Sequence, residues 1–148
     1  MPPNQPQELE NALSQLQCVL VARRTRINPE QINWPQYDIL ELLRLKGVLM
    51  PSVISETLGM SRPSTSKILR ALKDSQLIQQ TEGREDRREQ STSLTEKGQE
   101  FLERAAQSRR DTAKTAASVL TPGEQSLFSE LCLKVAAALG EIQEKPSN

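Results

Sequence analysis

Ser61-Arg62-Pro63-Ser64-Thr65-Ser66-Lys67-Ile68-Leu69-Arg70-Ala71-Leu72-Lys73 is the stretch whose reading governs the rest of the chain. Wound at about 100° per residue from Ser61, it places Thr65, Ile68 and Leu72 on one side, with Leu69 and Ala71 at the margins. The other side collects Arg62, Pro63, Ser66, Lys67, Arg70 and Lys73, which is four cations and no anion. One face calls for a small core. The other offers long cations and short hydroxyls, the side chains that reach phosphates and base edges in a DNA major groove. A solvated surface helix has the same pattern, so the flanking segments decide between the two.

Upstream, Pro51-Ser-Val-Ile-Ser-Glu-Thr-Leu-Gly-Met60 reads as a short amphipathic helix with Val53, Ile54 and Leu58 on its apolar side. Gly59 suits the left-handed position that ends a helix, and Ser61 then caps the next one. That is a helix-turn-helix. Downstream, Leu77-Ile-Gln-Gln-Thr81 and Gln90-Ser-Thr-Ser-Leu94 have strand character, and the charged segment Glu82-Gly-Arg-Glu-Asp-Arg-Arg-Glu89 lies between them. Two short strands with a charged, glycine-containing tip predict a β-hairpin, or wing, laid along a phosphate backbone.

Leu77-Ile78, Asp86-Arg-Arg88 and Leu94-Thr-Glu-Lys-Gly98 together resemble the wing signature of the MarR (multiple antibiotic resistance regulator) family of bacterial transcription factors. The likeness runs from about Ile32 to Leu102 by motif, and the flanks agree by helix pattern. It implies that Arg88 enters the minor groove at the wing tip and that Asp86 holds it by an ion pair. Thr92 departs from the family, which usually has an aliphatic strand residue there, and the expectation is a slightly weaker wing.

At 148 residues the chain suits one ordinary domain. Its composition, 36% hydrophobic and 26% charged, fits a helical protein. Only four aromatic residues occur, Trp34, Tyr37, Phe101 and Phe128, so the core must be built from Leu, Ile, Val and Ala. The net charge is zero, which excludes a uniformly basic surface. The signs are segregated, however: Arg62 to Lys73 is purely cationic, Arg23, Arg24 and Arg26 cluster, and acids gather after Glu96. Because screening dims charges more than about 10 Å away, local sign governs a phosphate contact. Histidine is absent, which removes Ser-His and Cys-His nucleophile systems and makes a zinc or iron site of His and Cys very unfavourable. No Gly-rich phosphate loop is present. The reading is therefore no enzyme, no cofactor and no metal. With no long apolar run and no signal-peptide pattern, a cytoplasmic location and no membrane association are expected.

Taken in order, Gln7 to about Ile27 predicts a helix with the seam Leu9, Leu13, Leu16 and Leu20, ended by Asn28-Pro29. Asn33-Trp-Pro-Gln36 reads as a helix start. The helix from Tyr37 to Lys46 is expected to support the helix-turn-helix through Tyr37, Leu40 and Leu43 to Leu45, with Trp34 as a core anchor. After the wing, a long helix runs from Thr95 towards Val119 along Leu102, Ala105 or Ala106, Arg109, Ala113, Ala116 or Ala117, and Leu120. Thr121-Pro-Gly-Glu124 is a capping box for a last helix carrying Phe128, Leu131, Val135, Leu139 and Ile142, ended by Lys145-Pro146.

The expected fold is mainly α with a small β-hairpin. It comprises an N-terminal dimerisation helix (1–31), a winged helix-turn-helix (32–95) and C-terminal dimerisation helices (96–148), intertwined as a homodimer because the terminal seams exceed what the central module can cover. The expected function is a sequence-specific transcriptional repressor on a pseudo-palindromic operator in double-stranded DNA. Candidate contacts are Ser61, Arg62, Pro63, Ser64, Ser66, Lys67, Arg70 and Lys73 in the major groove, and Arg84, Asp86, Arg87 and Arg88 at the wing. Release by a small-molecule effector follows from the family likeness; the scarcity of aromatic residues argues weakly against a large planar pocket, and a cleft near Trp34 and Tyr37 stays open as its place. Two alternatives stay open. Zero net charge and the acids Glu82, Glu85, Asp86 and Glu89 also fit a winged protein-interaction module. Cys18, opposite the first seam, could instead sense oxidants, as cysteines in some MarR-like regulators do; Cys132 lies on the last helix, and an inert small hydrophobe is the commoner role.

Overall fold

The computed structural model describes residues 5–26, 32–82 and 90–140, and the chain divides into two units, 1–33 and 34–148. The first unit holds α1 (Gln5–Thr25). Its expected seam is a solvent-facing one: Leu9, Leu13, Leu16 and Leu20 are all exposed, as are Val19 and Val21 beside them.

The second unit runs α2 (Trp34–Lys46), α3 (Pro51–Leu58), α4 (Arg62–Asp74), β1 (Ile78–Glu82), β2 (Gln90–Leu94), α5 (Glu96–Val119) and α6 (Pro122–Gly140). It is a winged helix-turn-helix followed by two long helices. Turn chemistry sets the boundaries as the sequence requires. Gly59 sits at φ 66° and ends α3, and Ser61 opens α4 by accepting the Ser64 amide at 3.2 Å. β1 and β2 pair antiparallel, from Ile78 opposite Leu94 to Glu82 opposite Gln90. Strand β1 starts one residue later than expected, because Leu77 donates its amide to the Leu72 carbonyl and so still belongs to the end of α4.

The core gathers Ile39, Leu40 and Leu43 of α2, Ile54 of α3, Leu69 and Leu72 of α4, Leu77 and Ile78 of the wing, and Phe101, Leu102 and Ala106 of α5. Two expectations are corrected here. Leu45 is 62% exposed and Ile39 is fully buried, because the face that meets α3, α4 and α5 is centred on positions 39, 40 and 43, and Leu45 falls on its far side. In α4 the buried positions are Thr65, Leu69 and Leu72, so Leu69 lies at the centre of the apolar face and Ile68 at its margin. Trp34 is only half-buried and meets Tyr37 edge to face, with centroids 5.3 Å apart at 79°.

Thr92 does more than tolerate its position. It is fully buried, its hydroxyl donates to the Gln90 carbonyl and accepts from the Gln80 amide, both at 3.2 Å, and its backbone exchanges two hydrogen bonds with Leu49. The segment between α2 and α3 thereby braces the two-stranded hairpin through a single antiparallel bridge at Leu49, and the polar residue is satisfied where an aliphatic one would only pack.

The Thr121-Glu124 box closes in both directions: the Thr121 amide donates to the Glu124 carboxylate at 2.9 Å, and the Glu124 amide donates to the Thr121 hydroxyl at 3.2 Å. The backbone hydrogen bond and then the side-chain one from Thr121 hold the Glu124 carboxyl below its ordinary value of 4.5. A depressed carboxylate contributes stability above its unfolded value and loses it as pH falls through the folded one. Acidification below about pH 4.5 should therefore fray the first turn of α6, with faster amide exchange at Glu124, and Glu124→Gln should flatten that dependence. Ile142 and Lys145-Pro146 lie outside the described residues. On α6 no described residue is buried, and Phe128, Leu131, Val135 and Leu139 are all exposed. No helix among the described residues is long and apolar enough to cross a membrane.

Candidate nucleic-acid interface

α4 is amphipathic in the sense that matters for DNA. Thr65, Leu69 and Leu72 anchor it, while Ser61, Arg62, Pro63, Ser64, Ser66, Lys67, Arg70 and Lys73 are all exposed. Thr65 is polar but costs nothing buried, because its hydroxyl donates back to the Ser61 carbonyl at 2.9 Å. Among the described residues no ion pair or side-chain hydrogen bond engages Arg62, Lys67, Arg70 or Lys73. The cationic ends are thus available to an outside anion. The helix is about 20 Å long, matching the span of groove a recognition helix occupies. Arg84, Asp86, Arg87 and Arg88 lie outside the described residues; β1 and β2 on either side of them in sequence are paired out to Glu82 opposite Gln90.

The hairpin and α5 are seated on the end of α4. Thr95 caps α5 by accepting the Gly98 amide at 3.0 Å, and donates its hydroxyl to the Gln76 carbonyl at 2.6 Å. Lys97 reaches the Ser75 carbonyl at 3.2 Å. Gly98 is required by a close approach: a Cβ there would lie 2.1 Å from the Leu77 carbonyl oxygen, a backbone atom that cannot swing aside. The Leu94-Thr-Glu-Lys-Gly98 run is thereby accounted for as a packing motif.

A second tie joins α2 to the middle of α5. Glu41 accepts from Arg44 within its own helix and from Arg109 at 3.3 Å across to α5. Arg109, expected among the apolar seam positions, is instead a half-exposed ion-pair partner. Arg44 is held above its ordinary value chiefly by the hydrogen bond to Glu41, and burial, then the Glu41 charge, raises the Tyr37 phenol. The i,i+3 spacing of Glu41 and Arg44 was a visible signal for the local pair. Nothing in the sequence marked the partner on α5. Between the end of α2, β2 and α5 a groove of about 390 Å³ opens, with Leu43, Leu94 and Leu102 among its apolar lining and Arg44, Gln99, Glu103 and Arg109 among its polar lining. Neither Trp34 nor Tyr37 lines it, so this groove lies nearer the wing than the expected cleft.

The profile of the MarR family matches residues 30–89, and the E. coli HTH-type transcriptional regulator PapX is 30% identical over 141 residues, 90% of this chain and 85% of PapX. The chain belongs to the MarR family. The E. coli regulator PrsX is similar to the same degree, 30% over 141 residues and 84% of its length. Among solved structures, MepR of S. aureus in its DNA-binding conformation superposes with a TM-score of 0.71 at 19% identity, covering 88% of this chain and 98% of MepR. NadR in complex with 4-hydroxyphenylacetate gives 0.71 at 21%, covering 85% and 89%. These two likenesses concern the fold. With the curated relatives, they make this MarR-family chain a winged helix-turn-helix transcriptional regulator.

Proposed function

We propose that this regulator is a homodimeric repressor that binds a pseudo-palindromic operator and leaves it when a small molecule binds. The observation that carries the reading is the α4 face, with four exposed cations and exposed serines on a helix anchored by Thr65, Leu69 and Leu72. Residues 32–95 form the reading module in this proposal. Ser61, Arg62, Pro63, Ser64, Ser66, Lys67, Arg70 and Lys73 meet the major groove, and Arg84, Arg87 and Arg88, with Asp86 orienting Arg88, meet the minor groove or its phosphates. Residues 1–31 and 96–148 form the dimer. Its support is the run of uncovered side chains, Leu13, Leu16 and Leu20 of α1 and Phe128, Leu131 and Val135 of α6, each 41–46% exposed. A monomer would leave these aliphatic faces wet, and a two-fold partner removes them from water at about 25 cal/mol per Å². The likeness to NadR, solved with 4-hydroxyphenylacetate, supports an effector of small-molecule size. A repressor of this kind is non-enzymatic and works in the cytoplasm, where the DNA is.

The test is selection of bound fragments from genomic DNA, followed by titration at several salt concentrations. An imperfect palindrome with two half-sites about one helical turn apart, bound far more tightly than random duplex and with steep salt dependence, is the expected result. Equal affinity for random sequence would leave only a winged interaction module. Both cysteines are free and exposed, which favours oxidant release as a second route. Mild peroxide should then abolish DNA binding in the native chain and spare a Cys18→Ser variant.

A further inference from the structure

We infer that Thr95, Gly98 and Gln76, none of them on the DNA-facing side of α4, are positioning residues that set the attitude of the reading helix relative to α5, and through it the discrimination between operator and random DNA. The inference rests on the DNA-reading role proposed above. Its basis is the way three successive carbonyls after α4 are all taken up by the first turn of α5. Ser75 accepts from the Lys97 ammonium, Gln76 from the Thr95 hydroxyl and Leu77 from the Thr95 amide, at 3.2, 2.6 and 3.1 Å. From the other side the same three residues are still tied to α4, since their amides donate to Ala71, Lys73 and Leu72. The turn is thus bonded to both helices at once, with no slack residue between them.

Two further features mark the joint as held in place. Gln76 stands at φ 65°, the left-handed region that side chains other than glycine seldom occupy, and the short Thr95 bond to its carbonyl keeps it there. Gly98 lets the α5 backbone come so near Leu77 that any Cβ would drive the two apart. The lever arm gives the joint its importance. Over a helix of about 20 Å, a rotation of about 5° at the joint moves the far end, with Arg62 and Ser64, by roughly 2 Å, enough to break hydrogen bonds to base edges while cations on flexible stems still find phosphates. Loss of the joint should therefore cost sequence reading and spare non-specific attachment.

The experiment compares the full chain with Thr95→Val, which keeps the branched shape and loses the hydroxyl, Thr95→Ser, which keeps the hydroxyl, and Gly98→Ala. Thermal unfolding is followed in parallel to certify folded protein. Thr95→Val and Gly98→Ala are expected to lose about tenfold or more in affinity for the selected palindrome, with binding to random duplex and the salt slope held within about twofold; Thr95→Ser should bind like the native chain. Undiminished operator affinity in Thr95→Val, or an equal drop on operator and random duplex, overturns the inference. Amide exchange at Ser75, Gln76 and Leu77 supplies a reading without DNA. It should quicken in Thr95→Val and return to the native rate in Thr95→Ser, and unchanged rates would equally overturn the proposal. Should the native chain itself fail to prefer the palindrome, the repressor reading falls, and exchange alone judges the joint.

Discussion

Leu40→Ala is expected to lower the unfolding free energy by about 2–5 kcal/mol, the largest single effect on stability predicted here. Leu40 is fully buried on the α2 face that packs against α3, α4 and α5, so truncation loses transfer energy and leaves a void lined by rigid neighbours. The matched control is Leu45→Ala in the same helix. Leu45 is 62% exposed, and its loss should change stability by less than about 0.5 kcal/mol. Urea titration at one fixed protein concentration checks the pair, since the proposed dimerisation would make apparent stability depend on concentration. Equal costs at both positions would mean that α2 is rotated from the placement described.

Arg70→Ala should weaken operator binding by about 1–3 kcal/mol, or roughly 5- to 150-fold, while leaving the unfolding transition unchanged. Arg70 is exposed near the middle of the cationic face of α4 and makes no ion pair or side-chain hydrogen bond with another described residue, so its loss should cost the fold little. The manner of the loss identifies its contact. Relaxed preference at one base pair marks a guanine edge, whereas a uniform loss with a salt slope smaller by about one marks a phosphate. Arg88→Ala at the wing is expected to cost about the same amount. Arg110→Ala, which removes a partner of Glu103 on α5 away from this face, should leave binding unaltered. Electrophoretic shifts with the selected palindrome measure all three, and unaltered affinity in Arg70→Ala would remove α4 from the proposed interface.

The legible part of the site was the part written within a few residues. The Ser61 cap, the Gly59 stop and the exposed row of Arg62, Lys67, Arg70 and Lys73 follow from spacing on one helix and from which residue types can stand at its ends. Hidden from that reading were Ile39 in place of Leu45, the Leu49 to Thr92 bridge and the Glu41 to Arg109 tie. Thr92 is the clearest case. Seen alone it is a polar residue where an aliphatic one is usual, and only the approach of Leu49 and Gln80 supplies the partners that make a buried hydroxyl acceptable.

By itself, then, the sequence determined the order and kind of the elements and their caps, because periodicity, turn residues and side-chain capping act over no more than about one helical turn. Only the tertiary structure decided how α4 is seated. The Leu77 carbonyl meets Gly98 and Thr95 from a distant part of the chain, and whether a backbone oxygen lies 2.1 Å from a missing Cβ depends on where two separately formed segments come to rest.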